Sequence, residues 1–365
     1  MTRARYQQVS LQDTPYYHCI SRCVRRAYLC GDDPITGKNF DHRKQWLVSR
    51  IKMLATHFSV DICAYAIMSN HYHLVLFVNE QQAEGWDDIE VVKRWTALFP
   101  RNAALVATLQ ENKSSKAAEK RLQQQISLWR ERLMDISWFM RCVNETVARE
   151  ANREDECSGR FWEGRFKSQA LLDEKALVTC MAYVDLNPIR AGITNSLENS
   201  DYTSIQERLI HQATKTKNRS YRQRRLLSRR TTKHLVGHQS RGSQAKLRLM
   251  PKIEGVAKKA LPITQQSYCD LLDRTCKAIY PREYSALRVT GTLDEKNRLL
   301  NDLGISAASW LKSVTTFHRH YSVAAGSESA LVHFHESRIN SGVNLKHPRK
   351  WIRGVNSSRL LYGSS

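Results

Sequence analysis

The chain of 365 residues is long enough for two or three domains. Lys and Arg number 57 against 35 Asp and Glu, so the formal net charge is +22, and 41% of the residues are hydrophobic. That hydrophobic fraction excludes a wholly disordered chain, and no run approaches the roughly 18 apolar residues that a membrane helix needs. The excess of positive charge favours a polyanionic partner, nucleic acid above all.

The N-terminal residues and the cysteines are both typical of a cytoplasmic protein. The first ten residues, MTRARYQQVS, lack the apolar segment of a secretory signal. The nine cysteines form no CxxC pair and lie mostly within apolar runs. We therefore expect buried free thiols in a reducing compartment, rather than disulfides or a zinc cluster.

The N-terminal part of the chain alternates between strand and helix patterns. Loose alternation predicts a first strand over residues 16–23, and apolar residues at helical spacing predict a helix over 40–57. Two β-type runs follow, over 60–68 and 71–78, with only the break Ser69-Asn70 between them. This arrangement predicts that the two strands form a hairpin.

The next part of the chain is helical before a last strand. Residues 81–134 have the composition of polar helices, and residues 138–151 carry a further helical stripe. A fourth strand is predicted over 161–172. Asp173 is a suitable N-cap for the helix that follows, which we expect to end near Asn187-Pro188.

The order β-α-β-β-α-β-α predicts an α+β protein. It suits a ferredoxin-like split βαβ antiparallel sheet with helices on one face. We assign this unit to residues 1–205, with a helical insert at about 81–134. A basic linker or arm over 206–260 and a small α-helical C-terminal domain over 261–365 complete the predicted organisation. We expect the C-terminal domain to bind DNA or to act as an accessory unit.

About two thirds of the charge excess lies in one short stretch. Residues 208–260 contain 16 Lys or Arg and a single acid. Charges of one sign at this density repel one another unless a polyanion neutralises them, so we expect phosphate contacts that add affinity without sequence preference. The alternative is a solvated linker that contacts nothing. The densest part of the stretch contains Arg222, Arg224, Arg225, Arg229 and Arg230.

The pattern His-x-His occurs three times, and geometry separates the three. In a strand, residues i and i+2 point to the same face, whereas in a helix they point to nearly opposite sides. His71 and His73 lie in a strongly β-type run, so both imidazoles can bind one cation there. His318 and His320 lie in a helical stripe, which makes chelation unfavourable, and the setting of His333 and His335 is ambiguous. The alternative for the first pair is two half-buried strand histidines.

A second candidate site is the segment Met181-Ala-Tyr-Val-Asp-Leu-Asn-Pro188. Tyr183 and Asn187 are four residues apart, hence on one helix face. A tyrosine beside a phosphate held by a cation can act as a nucleophile, and a carboxamide oxygen one turn away suits Mg²⁺ or Mn²⁺. Taken alone, the segment is as well explained by a packed tyrosine at a helix end with Asn187 capping it. Pro188 also disfavours helical dihedrals at Asn187.

Four segments in this order resemble the single-tyrosine HUH transposases and, more closely, the REP-associated tyrosine transposases. They are YYHCISRC from Tyr16, AYAIMSNHYHLVLFV from Ala64, GRFWEGRFKSQALL from Gly159 and AYVDLNPIRAGI from Ala182. They are spread over about residues 14–205, or half the chain. The HYH and YVDLNPIRAG strings are specific when they occur together.

The resemblance implies an HUH transposase catalytic domain over residues 1–205. In that family the two histidines, here His71 and His73, hold a divalent metal, Mg²⁺ or Mn²⁺. The tyrosine, here Tyr183, attacks a DNA phosphodiester and gives a 5′-phosphotyrosine bond and a free 3′-hydroxyl. Asn187 matches the polar residue that the family implies as a third ligand. The partner implied is DNA with single-stranded or hairpin-bearing ends, bound by a monomer or a homodimer.

Other residues have weaker claims to the site. Arg160, Arg165 and Lys167 flank the predicted fourth strand and could contact phosphates, although solvation alone would also explain them. Phe161 and Trp162 could stack on an unpaired base, but large aromatics near a sheet edge are more often core. His18 could share the face of the histidine pair, and a core histidine is the better expectation for it.

Two other functions remain open beside a DNA transposase. A replication initiator or relaxase-type nickase would share the histidine pair and the tyrosine, but the absence of a GxxxxGK[ST] motif disfavours the multifunctional kinds. The other alternative is a catalytically idle, transposase-derived DNA-binding protein.

Overall fold

A five-stranded sheet lies at the centre of the fold. The structure, a computed structural model, describes residues 9–24, 29–33, 37–111, 115–215, 247–248, 250, 261–285, 298–321 and 323–340. The strands are β1 (Tyr16–Arg22), β2 (Val60–Ile67), β3 (His71–Val78), β4 (Lys167–Leu171) and β5 (Ala324–Ala325), in the spatial order β2-β3-β1-β4-β5. The predicted α+β class is confirmed.

Strand pairing follows the split βαβ order with one addition. β1 is antiparallel to both β3 and β4, and β2 is antiparallel to β3, as the hairpin break at Ser69-Asn70 predicted. The short strand β5 pairs parallel to β4, so the sheet is mixed rather than purely antiparallel. Two residues are too few for an alternating pattern, which is why sequence analysis did not identify this strand.

The fourth strand is shorter than predicted. Only Lys167–Leu171 pair in the sheet, so the predicted strand over residues 161–166 is wrong. The aromatic side chains of this segment are buried in the core instead, where Trp162 forms an isolated bridge to Cys23 and donates from Nε1 to the Asn144 carbonyl over 2.8 Å. A β-type composition therefore reflected burial here, and not strand pairing.

The predicted helices largely form. Their caps match the sequence: the Asp173 carboxylate accepts from the Ala176 N–H over 2.8 Å. The helices are α1 (His42–His57), α2 (Glu80–Glu84), α3 (Asp88–Leu98), α4 (Arg101–Glu111), α5 (Lys116–Leu133), α6 (Ile136–Glu154), α7 (Glu174–Asp185), α8 (Asn187–Arg190), α9 (Ser204–Lys215), α10 (Gln265–Ile279), α11 (Arg298–Asp302), α12 (Ala307–His320) and α13 (Glu328–Asn340).

One face of the sheet packs against α1 and α6. The two helices contact each other closely, and the Phe58 and Phe139 rings meet edge to face at 5.4 Å. Helices of the insert join the same core, because Trp95 of α3 stacks on Trp129 of α5 at 5.8 Å. This face is the helical layer that the split βαβ order predicts.

The opposite face is also covered by helices, so the prediction of helices on one face alone is wrong. Helix α7 contacts β2, β3 and β4, and α12 packs on α7 from the outside. Every residue of α7 from Ala176 to Asp185 is buried. A helix that is apolar on all sides is normally enclosed on all sides, and the run ALVTCMAYV has this character.

Asp185 joins three helices beneath the sheet. Its buried carboxylate accepts hydrogen bonds from the Ser204 hydroxyl, the Ile205 N–H at 2.9 Å and the Tyr268 hydroxyl at 2.7 Å. These donors lie on α9 and α10, so a single side chain of α7 positions both helices. Burial raises the pKa of Asp185 to about 6, and the surrounding hydrogen bonds lower it in part.

Two pieces of the predicted basic linker belong to the fold. Helix α9 extends to Lys215, and Arg208 on it donates to the Cys63 carbonyl at 2.8 Å. Arg248 donates from its backbone N–H to the Ile62 carbonyl at 2.8 Å and forms an ion pair with Asp61 at 2.5 Å. These two arginines stabilise the fold and are not free for DNA.

Most of the cysteines are buried free thiols. All nine lie within the described residues, none forms a disulfide, and all except Cys157 are buried. No helix in the described part of the chain is long and apolar enough to cross a membrane.

Candidate functional site

The histidine pair lies on β3, on the face that α7 covers. Alternation along the strand places His71 and His73 on this face, with ring centroids 4.8 Å apart. Tyr72 points to the opposite face, where its hydroxyl donates to Asn144 Oδ1 at 2.5 Å. The predicted geometry of two imidazoles on one face is therefore present.

His18 extends the pair to a row of three histidines. It lies on the neighbouring strand β1, and its Nε2 is 2.9 Å from Nδ1 of His73. Its other ring nitrogen, Nδ1, lies 3.3 Å from Oε1 of Gln169 on β4. An amide oxygen only accepts, so His18 donates from Nδ1 and accepts at Nε2. His73 then donates from Nδ1, which leaves the lone pair of a neutral ring on its Nε2.

Burial keeps the three imidazoles neutral at pH 7. It lowers the pKa of His18 to about 4 and that of His71 to about 4, and it lowers the pKa of His73 well below its usual range. The hydrogen bond that Gln169 accepts raises the pKa of His18 in part, whereas the charge of Arg22 lowers the pKa of His71 further. Neutral imidazole is the form that binds a metal ion.

The hydrogen bonds of His71 and His73 each use Nδ1, which leaves Nε2 of both rings for another ligand. Nε2 of His73 is buried and has no hydrogen-bond partner in the described part of the chain. Nδ1 of His71 lies 2.5 Å from Asn70 Oδ1, so Nε2 is the nitrogen left for another ligand. A metal-binding histidine commonly donates its other ring N–H to a protein acceptor, as His73 does here.

The donors for further coordination are not acidic. Among the described residues, no three His, Cys, Asp or Glu side chains form a group that could hold a metal ion. Asn187 is buried beside Tyr183, and its Nδ2 has no hydrogen-bond partner within the described residues. A cation here would be bound by two imidazoles, by the carboxamide oxygen and by water or a phosphate oxygen. Within this set, the oxygen atoms are the ligands that suit Mg²⁺ or Mn²⁺.

Tyr183 on α7 lies against the histidine row. Its ring centroid is 5.7 Å from that of His73 and 6.1 Å from that of His18, edge to face in both cases. The side chain is buried, with 5% of its surface exposed. The phenol therefore lies against His73, one of the two histidines of the predicted pair, and against His18. The metal and nucleophile roles of these residues stay predictions.

Arg190 is a site residue that sequence analysis missed. α7 ends at Asp185, and α8 begins at Asn187 just before Pro188, in accord with the expected break. The chain nevertheless keeps turning, so the Arg190 guanidinium lies 4.5 Å from the Tyr183 ring centroid. The spacing of seven residues, two helical turns, was the available signal.

The surroundings of Tyr183 act on its pKa in opposite directions. Burial raises the pKa of the phenol, whereas the charge and polar contact of Arg190 and, more weakly, the Asn187 carboxamide lower it. The net pKa is above the usual value for tyrosine. Tyr183 is therefore a neutral phenol at pH 7, and the positively charged Arg190 side chain beside it stabilises the phenolate form.

Helix α12 covers the tyrosine from the side away from the sheet. Phe317 stacks on the Tyr183 ring at 5.4 Å, and His318 lies 6.1 Å away. The helix is distorted beside this contact, where Thr316 has non-helical dihedrals (φ −119°, ψ 17°). The spacing of apolar residues predicted this helix. No pattern in the sequence indicated that the helix covers Tyr183.

The other predicted site residues do not join this cluster. Arg160, Arg165 and Lys167 are exposed, and Arg160 donates to the Glu163 carbonyl at 3.3 Å. Phe161 and Trp162 are core residues, as expected. The arginines predicted to contact DNA from the arm lie outside the described residues; these are Arg222, Arg224, Arg225, Arg229 and Arg230.

No family model matches the chain, and no curated protein matches it. A solved structure of a REP-associated tyrosine transposase bound to a REP hairpin is similar at 12% identity and a TM-score of 0.35, covering 57% of this chain and 86% of the other. Any functional conclusion therefore depends on the residues described above.

Proposed function

We propose that this protein is a DNA transposase that cleaves and rejoins single-stranded or hairpin-bearing DNA by transesterification, with Tyr183 as the nucleophile. The observation that carries the proposal is the convergence of Tyr183 and His73, at 5.7 Å between ring centroids, beside a buried His73 Nε2 that has no hydrogen-bond partner among the described residues. A structural histidine would normally use both ring nitrogens when buried. The vacant nitrogen beside a phenol is better explained by a site for a cation and a phosphate.

The histidine pair would hold the metal. His71 and His73 would supply Nε2 atoms, and Asn187 would supply a carboxamide oxygen. A bound Mg²⁺ or Mn²⁺ would polarise the scissile phosphate and offset its negative charge. His18 and Gln169 act behind the pair, because their hydrogen bonds keep the His73 ring in the tautomer with a free Nε2.

Tyr183 would carry the covalent step. Its oxygen forms a bond to the phosphorus, the bond to the 3′-oxygen breaks, and the 3′-oxygen takes up a proton as the phenol loses one. Arg190 lies over the Tyr183 ring and would stabilise the phenolate, which is the form that attacks the phosphorus. Rejoining is the reverse reaction with a different 3′-hydroxyl, so the number of ester bonds is conserved and no ATP is needed.

The charge of the chain supports a DNA substrate. About two thirds of the formal net charge of +22 lies in residues 208–260, which include Arg222–Arg230 and can neutralise phosphates. Exposed Arg160 and Arg165 precede β4, the strand that carries Gln169, and exposed Lys167 begins it. These groups would give affinity and orientation, whereas the buried cluster would give chemistry.

Access to the site is restricted. Tyr183 and His73 are almost fully buried, whereas His71 and Arg190 are half-buried. A DNA strand would therefore approach from the side of His71 and Arg190. Phe317 stacks on the Tyr183 ring, and we expect it to move aside when a phosphodiester binds.

Covalent capture tests the proposal. The protein is incubated with Mn²⁺ and a single-stranded DNA library that has random sequence and random hairpins, and protein–DNA adducts are isolated under denaturing conditions and sequenced. We expect adducts with the wild type, none with Tyr183→Phe, and undiminished adducts with the matched control Tyr72→Phe on the other face of the sheet. An adduct that persists in Tyr183→Phe would refute the nucleophile.

The same library separates the alternatives. Cleavage without strand joining would indicate a relaxase-type nickase, and binding without any adduct would indicate a catalytically idle DNA-binding protein. His71→Ala should abolish the adduct and leave most DNA binding, because the arm does not depend on the metal. Equal loss of both would contradict this division between chemistry and affinity.

A further inference from the structure

A groove opens beside Arg190, where α8 ends. It has a volume of about 620 Å³ and is lined by residues that include Arg190, Ile193, Asn195, Tyr280, Glu283 and Tyr284. This size lies within the range of sites for small organic groups. Its walls come from the segment after α8 and from the end of α10.

Arg190 belongs both to this groove and to the tyrosine cluster. Its guanidinium contacts the Tyr183 ring, and its Nη1 is buried without a hydrogen-bond partner within the described residues. An unpaired guanidinium nitrogen in such a position requires an acceptor. A phosphate oxygen of a strand that passes from Tyr183 into the groove is a suitable acceptor.

The interior of the groove suits a base better than a phosphate. Ile193 has 59% of its surface exposed, and Tyr280 lines the same groove with a half-buried ring. Glu283 contributes negative charge, which would repel a phosphate. An aromatic ring and an aliphatic side chain together offer a surface for stacking, and Asn195 offers an amide for the edge of a base.

The walls of the groove are held in place before any ligand binds. The Ser285 N–H donates to the Asn195 carbonyl at 3.0 Å, which joins the two walls. The Tyr284 hydroxyl donates to Asp273 Oδ1 at 2.6 Å. A preformed groove binds with less loss of conformational entropy than a mobile loop.

We propose that this groove binds the base of an unpaired nucleotide next to the phosphodiester that Tyr183 attacks. The proposal rests on the proposed function, and it adds a substrate subsite formed by Arg190, Ile193 and Tyr280. Arg190 contacts the backbone phosphate, and the base stacks between Ile193 and Tyr280. The subsite thereby sets which phosphodiester lies over the tyrosine.

Photo-crosslinking tests the subsite in the wild-type protein. The probe is a single-stranded oligonucleotide of about ten nucleotides that carries 5-iododeoxyuridine, irradiated with the full chain and mapped by peptide mass spectrometry. We expect a crosslink on the peptide that contains Tyr280. Crosslinks confined to other parts of the chain, the basic arm included, would overturn the proposal.

Binding measurements with variants give a second readout. Tyr280→Leu and Ile193→Ser should each weaken binding of the same oligonucleotide by about 5- to 150-fold, the loss of one stacked base. Ile89→Ser is the matched control, because Ile89 is 78% exposed on α3, away from the groove. Equal affinity in all three variants would overturn the subsite.

The two proposals fail in different ways. A crosslink at Tyr280 without any covalent adduct at Tyr183 would support the groove and contradict the transposase chemistry. Adducts at Tyr183 that are formed equally well by Tyr280→Leu and Ile193→Ser would support the chemistry and contradict the groove.

Discussion

Nε2 of His18 lies 2.9 Å from Nδ1 of His73, and this contact joins two strands at the centre of the site. With Gln169 accepting from the other ring nitrogen of His18, the direction of each hydrogen bond is determined. The consequence is a His73 ring whose Nε2 lone pair faces the tyrosine side of the sheet. His18 thus acts through His73, as a positioning residue.

The first prediction concerns this contact. His18→Leu removes the acceptor for His73 Nδ1–H and should weaken Mn²⁺ binding by about 10- to 100-fold. His18→Gln can place an amide oxygen near the position of Nε2 and should retain most of the affinity. Mn²⁺ titration followed by electron paramagnetic resonance measures both constants.

A metal-free measurement checks the same contact independently. ¹⁵N NMR of histidine-labelled protein reports which nitrogen of His73 carries the proton. We expect protonated Nδ1 in the wild type and in His18→Gln, and a mixture of tautomers in His18→Leu. A His73 ring protonated on Nε2 in the wild type would contradict the assigned hydrogen bonds, whatever the metal affinity.

The second prediction concerns the covering helix α12. Phe317→Leu removes the aromatic stack on Tyr183 and should speed covalent adduct formation, because less contact is lost when the helix moves aside. It should also lower the free energy of unfolding by about 1–2 kcal/mol. Phe334→Leu is the matched control, because Phe334 is buried in the hydrophobic core to which α1 and α6 belong. Equal adduct rates in the two variants would contradict a gating role for Phe317.

The third prediction concerns the basic arm. Replacing its five clustered arginines by Gln should flatten the dependence of DNA affinity on salt, by a slope of up to about 3.5 if each contacts one phosphate of a single strand. The positions changed are Arg222, Arg224, Arg225, Arg229 and Arg230. Point substitution is preferable to deletion of residues 208–260, because Arg208 and Arg248 stabilise the fold. An unchanged slope would mean that the arm contacts no phosphates.

The fourth prediction concerns Asp185. Asp185→Ala leaves three buried donors without an acceptor and should lower the free energy of unfolding by about 3–5 kcal/mol. Tyr268→Phe removes only one of these hydrogen bonds and should cost about 1–2 kcal/mol. Chemical denaturation of both variants measures the difference. Equal losses would show that Asp185 does not join α9 to the rest of the fold.

Sequence analysis located the main elements because their patterns are local. The runs at β1, β2 and β3 are continuous and β-type, and their bounds were predicted to within one residue. The segment around Trp162 was misread, because aromatic residues that pack into a core have the same composition as a strand. The second helical layer was also missed, although the apolar character of α7 on all sides indicated it.

Part of the candidate site could be predicted as well, because it depends on a local pattern. His71 and His73 are two residues apart, so alternation along one strand suffices to place them together. His18 was considered for the face of the histidine pair, although a core histidine was the better expectation, and Phe317 was not predicted to contact the site. Each approaches from a different element and leaves no periodic signal. Arg190 was within reach of helical spacing, but Pro188 between it and Tyr183 suggested that the helix was interrupted.

The amino-acid sequence by itself determined the class of the fold, the strand that carries the histidine pair and the helix that carries the tyrosine, because these depend on spacing within short segments. Tertiary structure alone decided that the tyrosine meets the histidines, that His18 positions one of them, and that α12 covers the result. Those relationships come from sheet order and from packing on both faces of the sheet. Such contacts join residues distant in sequence, and no local pattern records them.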